Sequence, residues 1–243
     1  TGEDTLSLHD ALPIFSLLLG LLLIQPVLAA TIPNESQLRQ ELKQAESNKN
    51  APNQAETVEI LQSALNWLNE LNTSKSNSQQ YQRVIDNFPK IVQELRRQLT
   101  AEETKALPND KSLSASELEQ LIPQTSSQLL EQARLLQQEQ DRSREISDSL
   151  SQLPQQQTEA RRALVEVQRR LQQQGNSQNT PLASAQLSLL QAETAAQKAK
   201  VDELELAQLS ANNRQELARM RAEVYKKRHG KTDLQLQTLR NNL

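Results

Sequence analysis

The chain is 243 residues long, with 27 Lys plus Arg against 30 Asp plus Glu, no cysteine, four glycines and few aromatic residues (one Trp, two Tyr and two Phe). Without cysteine there are no disulfide frameworks or thiolate metal sites, and so little glycine leaves no material for phosphate-cradling loops or the tight turns of β proteins. Residues 1–29 carry three acids and no Lys or Arg, so the remainder is balanced at 27 charges of each sign and offers nucleic acid no basic excess.

The first element is the apolar run at residues 15–24, Phe-Ser-Leu-Leu-Leu-Gly-Leu-Leu-Leu-Ile. It is shorter than the ~20 apolar residues that cross a bilayer. It leads into Val27-Leu28-Ala29-Ala30, where Val27 and Ala29 stand at the two positions that signal peptidase selects and Ala30 follows the cut. Residues 15–29 therefore read as a signal peptide, and the chain after it as exported. A signal peptide needs a basic start, yet residues 1–14 hold Glu3, Asp4 and Asp10 with no Lys or Arg and no initiator Met. Asp4-Thr-Leu-Ser-Leu-His-Asp-Ala-Leu-Pro-Ile14 resembles the translation of a sequencing adapter. Residues 1–14 are accordingly expected to be an artefact, with the true start lost.

After the signal the pattern is helical throughout. Pro33-Asn34-Glu35-Ser36 opens a short helix with Leu38, Leu42 and Ala45 on one face, followed by a polar linker over residues 47–53. From Ala55, Val58, Leu61, Leu65 and Leu68 form a narrow seam at three- and four-residue spacing. Residues 72–78, rich in Asn and Ser, predict a turn. The next helix carries Tyr81, Ile85, Phe88, Val92, Leu95 and Leu99, with Pro89 expected to kink or split it near Asn87. Leu107-Pro108-Asn109-Asp110-Lys111 is a strong break, and Ser114-Ala115-Ser116-Glu117 then matches a capping box.

Beyond Pro123 the helices lengthen. Leu129, Ala133 and Leu136 make one seam segment and Ile146, Leu150 and Leu153 another, separated by an all-polar stretch at residues 137–144 that suits a solvated rod. Pro154 is expected to end one segment and open the next, which holds Ala160, Leu164, Val167 and Leu171. A second strong break covers residues 174–181 and predicts a helical hairpin. The last helix holds Leu182, Ala185, Leu189, Ala192, Ala196 and Ala199 on one face, continued by Leu206, Leu209, Asn213, Leu217, Met220 and Val224. It reaches Leu243 with no Gly or Pro stop, so it is expected to be cut short there. Residues 154–173 and 181–229 should pack antiparallel on each other or on the helix from Gln124. The fold class is all-α, elongated antiparallel hairpins in a coiled-coil-like bundle. Two regions are expected, an N-terminal helical subdomain over residues 30–106 and a long-helix region over residues 112–243.

No catalytic, cofactor-binding or metal-ligating set emerges. His229, beside Lys226-Lys227-Arg228, reads as a solvated helix-end residue. Glu102-Glu103 and the acids Asp202, Glu203 and Glu205 read as neighbours on a solvated face, with nothing nearby to desolvate them. The pairs Arg96-Arg97, Arg161-Arg162 and Arg169-Arg170 are interleaved with Glu and Gln, which favours a solvated face over anionic lipid. Trp67 reads as a partly buried hairpin residue in preference to an interfacial anchor. Asn213 on an apolar seam is the candidate for setting register against a partner helix.

Three stretches carry a family resemblance: Tyr81-Gln-Arg-Val-Ile-Asp-Asn-Phe-Pro-Lys90, then Gln137-Gln-Glu-Gln-Asp-Arg-Ser-Arg-Glu-Ile-Ser-Asp-Ser-Leu-Ser-Gln-Leu-Pro-Gln-Gln-Gln-Thr-Glu-Ala-Arg161, and Val201-Asp-Glu-Leu-Glu-Leu-Ala-Gln-Leu-Ser-Ala-Asn-Asn-Arg-Gln-Glu-Leu-Ala-Arg219. Over nearly all of residues 30–240 the chain resembles the periplasmic N-terminal region of the large MscS-type mechanosensitive channels of enteric bacteria, in their MscK-like subfamily. Tyr225-Lys-Lys-Arg-His-Gly-Lys231 departs from that family's pattern, which is richer in Glu there. The resemblance implies the periplasmic portion of a bacterial inner-membrane protein, a homo-heptamer that opens under bilayer tension and relieves hypo-osmotic shock. It also implies that the pore lies beyond residue 243, so no pore residue is carried onto this chain. Neither nucleic acid nor a small-molecule substrate is expected as a partner, and no enzymatic activity. The alternative is a soluble periplasmic coiled-coil adaptor or chaperone.

Overall fold

The computed structural model describes residues 31–106, 113–175 and 179–243. The described residues form one compact unit, with four helices among them: α1 (Glu35–Ser47), α2 (Gln54–Thr104), α3 (Ala115–Gln174) and α4 (Pro181–Asn242). No strand occurs among the described residues, and the fold is all-α. The expected signal peptide, its cleavage site at Val27, Ala29 and Ala30, and the adapter-like start lie outside the described residues.

Helices α1, α3 and α4 each begin where a short polar side chain satisfies a free amide of the first turn. The Asn34 side chain accepts from the Gln37 amide at 3.1 Å, and Thr180, with Pro181 behind it, accepts from the Ala183 amide at 3.1 Å. At Ser114 the predicted capping box is complete. The Ser114 hydroxyl accepts from the Glu117 amide, while the Glu117 carboxylate accepts from the Ser114 amide at 2.8 Å and its hydroxyl at 2.7 Å. Asn53 precedes α2 at φ 55°, a left-handed conformation that asparagine tolerates. Just beyond it, Gln54 Nε2 donates to the Ala45 carbonyl at 3.0 Å and ties α1 to the start of α2. Gly175 closes α3 at φ 66°.

The helices between these caps are longer than predicted. Residues 72–78 are not a turn, and Pro89, Pro123 and Pro154 neither split nor end a helix. An interior proline costs about 3 kcal/mol through one lost hydrogen bond and a ring clash. Around Pro89 that cost is offset by apolar burial on both sides, because Phe88, Val92 and Leu95 all pack against Leu217, Met220 and Val224 of α4. Ser74 and Asn77, read as turn formers, are held instead in the helix interface, where Ser74 is buried and Asn77 bonds across to α4.

α4 is the common element, packing along α2 on one side and α3 on the other, while α1 packs on α2. Among the described residues α2 and α3 make no close backbone approach to each other, so α4 forms the middle of the layer. The expected antiparallel pairing is present. Gln174 meets Gln186, Arg170 meets Glu193, Arg161 meets Glu205 and Ser143 meets Gln215, so α3 numbers fall as α4 numbers rise. The α2·α4 pair, which the sequence reading did not anticipate, is parallel. Asn77–Glu203 and Glu102–Arg228 are each 126 residues apart, one constant register along the seam. At ~1.5 Å per residue the 62 residues of α4 extend ~93 Å.

Three apolar clusters hold the layer together. Leu38, Leu61, Ala64, Leu68 and Leu71 meet Ala185, Ala192, Ala196 and Ala199 at one end. Leu153 and Ala160 meet Leu204 and Ala207 in the middle, with Tyr81 against them. Val92 and Leu95 meet Leu217, Met220 and Val224 further along. Small residues on α4 let a helix with two neighbours approach both closely, which a leucine on each side would prevent.

Candidate functional site

The chemistry of this layer is concentrated in a polar level at its middle and an ionic clamp at the end of α2. On α4, Glu203 falls between Ala199 and Ala207 at helical spacing, which turns its carboxylate into the α2·α4 seam, where the residue is only 5% exposed. Its Oε1 accepts from Asn77 Nδ2 of α2 and from Lys200 Nζ, both at 3.1 Å. Its Oε2 is buried with no hydrogen-bond partner. About three turns on, Arg214 lies 4.7 Å from the centre of the Tyr81 ring, a cation–π pair between α4 and α2. Arg214 also donates to the Ser210 hydroxyl at 3.1 Å and the Ala207 carbonyl at 2.9 Å. Burial pushes the Arg214 guanidinium below its ordinary value, although it remains charged throughout the physiological range.

The same level continues onto α3. Gln215 Nε2 donates to the hydroxyls of Ser143 at 2.9 Å and Ser147 at 3.3 Å, and its Oε1 is buried without a partner. Glu139, inside the stretch read as fully solvated, is buried and paired with Arg142 at 3.0 Å. The polar gap at residues 137–144 is thus partly an interface, with Glu139 buried in it and Ser143 held by Gln215 of α4.

The clamp joins the last turn of α2 to α4. Arg228 Nε donates to Glu102 at 2.8 Å, and Lys227 pairs with Glu103. The hydrogen bond from Lys227 holds the Glu103 carboxyl below the usual carboxylate range. Lys231 Nζ donates to the carbonyls of Glu102 and, at 2.6 Å, Lys105, filling acceptors that the helix end leaves open. The segment Tyr225–Lys231 therefore supplies all three cations of this clamp.

Other candidates take their places as follows. Val167, Leu217 and Met220 are buried, whereas Leu129, Leu136, Leu164, Leu171, Leu206 and Asn213 are half-buried. Ala133 is exposed, and Leu209, 69% exposed, points away from both partners. Beyond Leu206 the face is carried by Ser210 and Ala211, which a search for leucines passes over. Glu203, expected on a solvated face, is the buried carboxylate described above. Its position among alanines was the available signal. His229 is not at a helix end, because α4 runs on to Asn242. Asp202 and Glu205 are exposed and paired with Lys198 at 3.2 Å and Arg161 at 3.3 Å. Arg169 pairs with Glu166 and Arg170 with Glu193, each at 2.6 Å. Trp67 is half-buried against the first apolar cluster. No set of three or more His, Asp or Glu side chains among the described residues is placed to hold a metal, and no helix among them is long and apolar enough to cross a membrane.

The profile of the mechanosensitive ion channel porin domain, MscS porin, matches residues 41–243, from the middle of α1 to the end of α4. The chain belongs to this family. The MscS porin domain is therefore an all-α layer in this member, with α4 between α2 and α3. The chain is similar to the miniconductance mechanosensitive channel MscM of Escherichia coli (strain K12), with 51% identity over 216 residues. That alignment covers 88% of the chain and 19% of the relative, so the chain spans about a fifth of the channel it matches. No solved structure matches the chain.

Proposed function

We propose that this porin domain is the periplasmic, non-enzymatic part of a tension-gated MscS-type channel that protects the cell from hypo-osmotic shock. The observation that carries the reading is the family match across residues 41–243, together with the 51% identity to a miniconductance mechanosensitive channel. That identity favours a channel over a free coiled-coil adaptor. In the whole protein the subunits assemble as a homo-oligomer, a heptamer by family resemblance, in the inner membrane. The helical layer stands on the periplasmic side and needs no cofactor. The apolar run before Val27 and Ala29 supports export by a signal peptide.

Within such a channel the layer acts as a stiff extension. Three helices of 51 to 62 residues packed along one another resist bending far better than separate ones, and so tune the tension at which the channel opens. Patch-clamp recording of the full-length channel lacking residues 30–243 tests this. A shifted tension threshold or altered adaptation is the expected result. Threshold, conductance and adaptation all unchanged would refute the tuning role.

A further inference from the structure

The α2·α4 seam consists of two apolar blocks with a polar level between them. In the first block Ala64, Leu68 and Leu71 face an alanine row on α4, and in the second Val92 and Leu95 face Leu217, Met220 and Val224. Between the blocks α2 presents Ser74, Asn77 and Tyr81, and α4 presents Glu203 and Arg214, with Tyr81 also resting against the cluster that holds Leu204 and Ala207. Glu203 Oε2 at this level is buried with no partner.

Separating α2 from α4 has opposite consequences at the two kinds of level. In the apolar blocks it exposes leucine and valine to water and gains nothing. At the polar level water reaches an unpartnered carboxylate oxygen and an arginine whose charge is partly desolvated, which relieves the cost of burying them. Local opening is expected where few apolar contacts oppose it.

We infer that the level of Glu203 is a built-in conformational joint, at which α2 and α4 part transiently while the apolar blocks on either side stay closed. Its charged groups are Glu203 and Lys200 on α4, with Arg214 about three turns further along the same helix; α2 presents the neutral Asn77 and Tyr81. The joint gives the layer a defined point of flexure without loss of register, because the blocks keep the 126-residue offset between the helices.

The chain has no cysteine, so single introduced thiols report opening cleanly. Ser74→Cys is nearly isosteric at a buried position of the polar level, while Ala64→Cys and Val92→Cys report the two blocks from similarly buried sites. Labelling by a maleimide in the full chain is expected to run roughly tenfold or more faster at Ser74→Cys, since burial of even one unpartnered polar group is worth about a factor of ten. Adding Glu203→Leu should slow Ser74→Cys to the block rates. If that variant fails to fold, as judged by circular dichroism, Glu203→Gln keeps the shape, removes the charge and should slow labelling by a smaller factor. Equal labelling at all three sites, or no slowing on replacement of Glu203, would overturn the inference.

Discussion

Ala192 offers a direct test of how α4 accommodates two neighbours. Its side chain is 0% exposed, in the cluster where α2 supplies Leu61, Leu68 and Leu71. Ala192→Leu adds three carbons to that seam. If the space existed, their burial would stabilise the fold by ~2.4 kcal/mol at ~0.8 kcal/mol per methylene. The space does not exist, because the alanine row sets the distance between the helices. Leucine must adopt a strained rotamer or push α4 off α2, which uncovers Ala196 and Ala199 as well. Overpacking of this kind costs about 1–3 kcal/mol net. For a unit of this size each kcal/mol lowers Tm by about 2–4 °C, so a fall of roughly 2–12 °C is expected in thermal melts followed by circular dichroism. Ala133→Leu, at an exposed position of α3, is the control and should stay within about 0.5 kcal/mol of the parent. A melt for Ala192→Leu at or above the parent would show that the seam is not set by small residues and would refute the argument.

Thr180→Ala removes the side-chain acceptor for the Ala183 amide and should cost about 1 kcal/mol, read from urea midpoints. Lys231→Met leaves the carbonyls of Glu102 and Lys105 without their ammonium donor, so hydrogen exchange at residues 101–105 should accelerate while that at residues 61–71 does not. The carboxyls of Glu103, Glu117, Glu131, Glu166 and Glu216 all lie below their ordinary range, chiefly through hydrogen bonds from Lys227, Ser114, Arg134, Arg169 and Arg219 respectively. Because the folded values are depressed, their stabilisation is fully present above the unfolded carboxylate value of ~4.3 and is lost as pH falls through the folded ones. Tm should therefore be flat from neutral pH to about 4.5 and decline below it, and a rise in Tm under acid would contradict these pairings.

Helix starts were legible because they are written locally. Asn34, the Ser114–Glu117 box and Thr180-Pro181 each satisfy amides within three or four residues, so nothing distant is needed to recognise them. Helix continuity was not, since Pro89 and residues 72–78 are overruled by contacts with α4 more than a hundred residues away. The antiparallel pairing of α3 with α4 followed from the short connection at residues 174–181. The parallel pairing of α2 with α4 has no such local mark, because α3 lies between them in the chain. Glu203 shows the same limit. An acid among acids reads as solvated until the alanines at one turn either side place it in a seam, and those alanines identify a seam only when α4 is known to have two partners.

The parallel run of α2 and α4 also fixes how the pair meets a load. Pull α4 along its axis while α2 is held at its far end, and the helices slide past each other. Every bond in the register, from Asn77–Glu203 to the clamp at Glu102 and Arg228, is then strained together. In a hairpin such as α3 with α4, prising the ends apart breaks contacts one at a time, starting from the open end. The former geometry fails only when many contacts yield at once, so the α2·α4 pair is the one built to carry force along its length, and the α3·α4 hairpin is the one that peels.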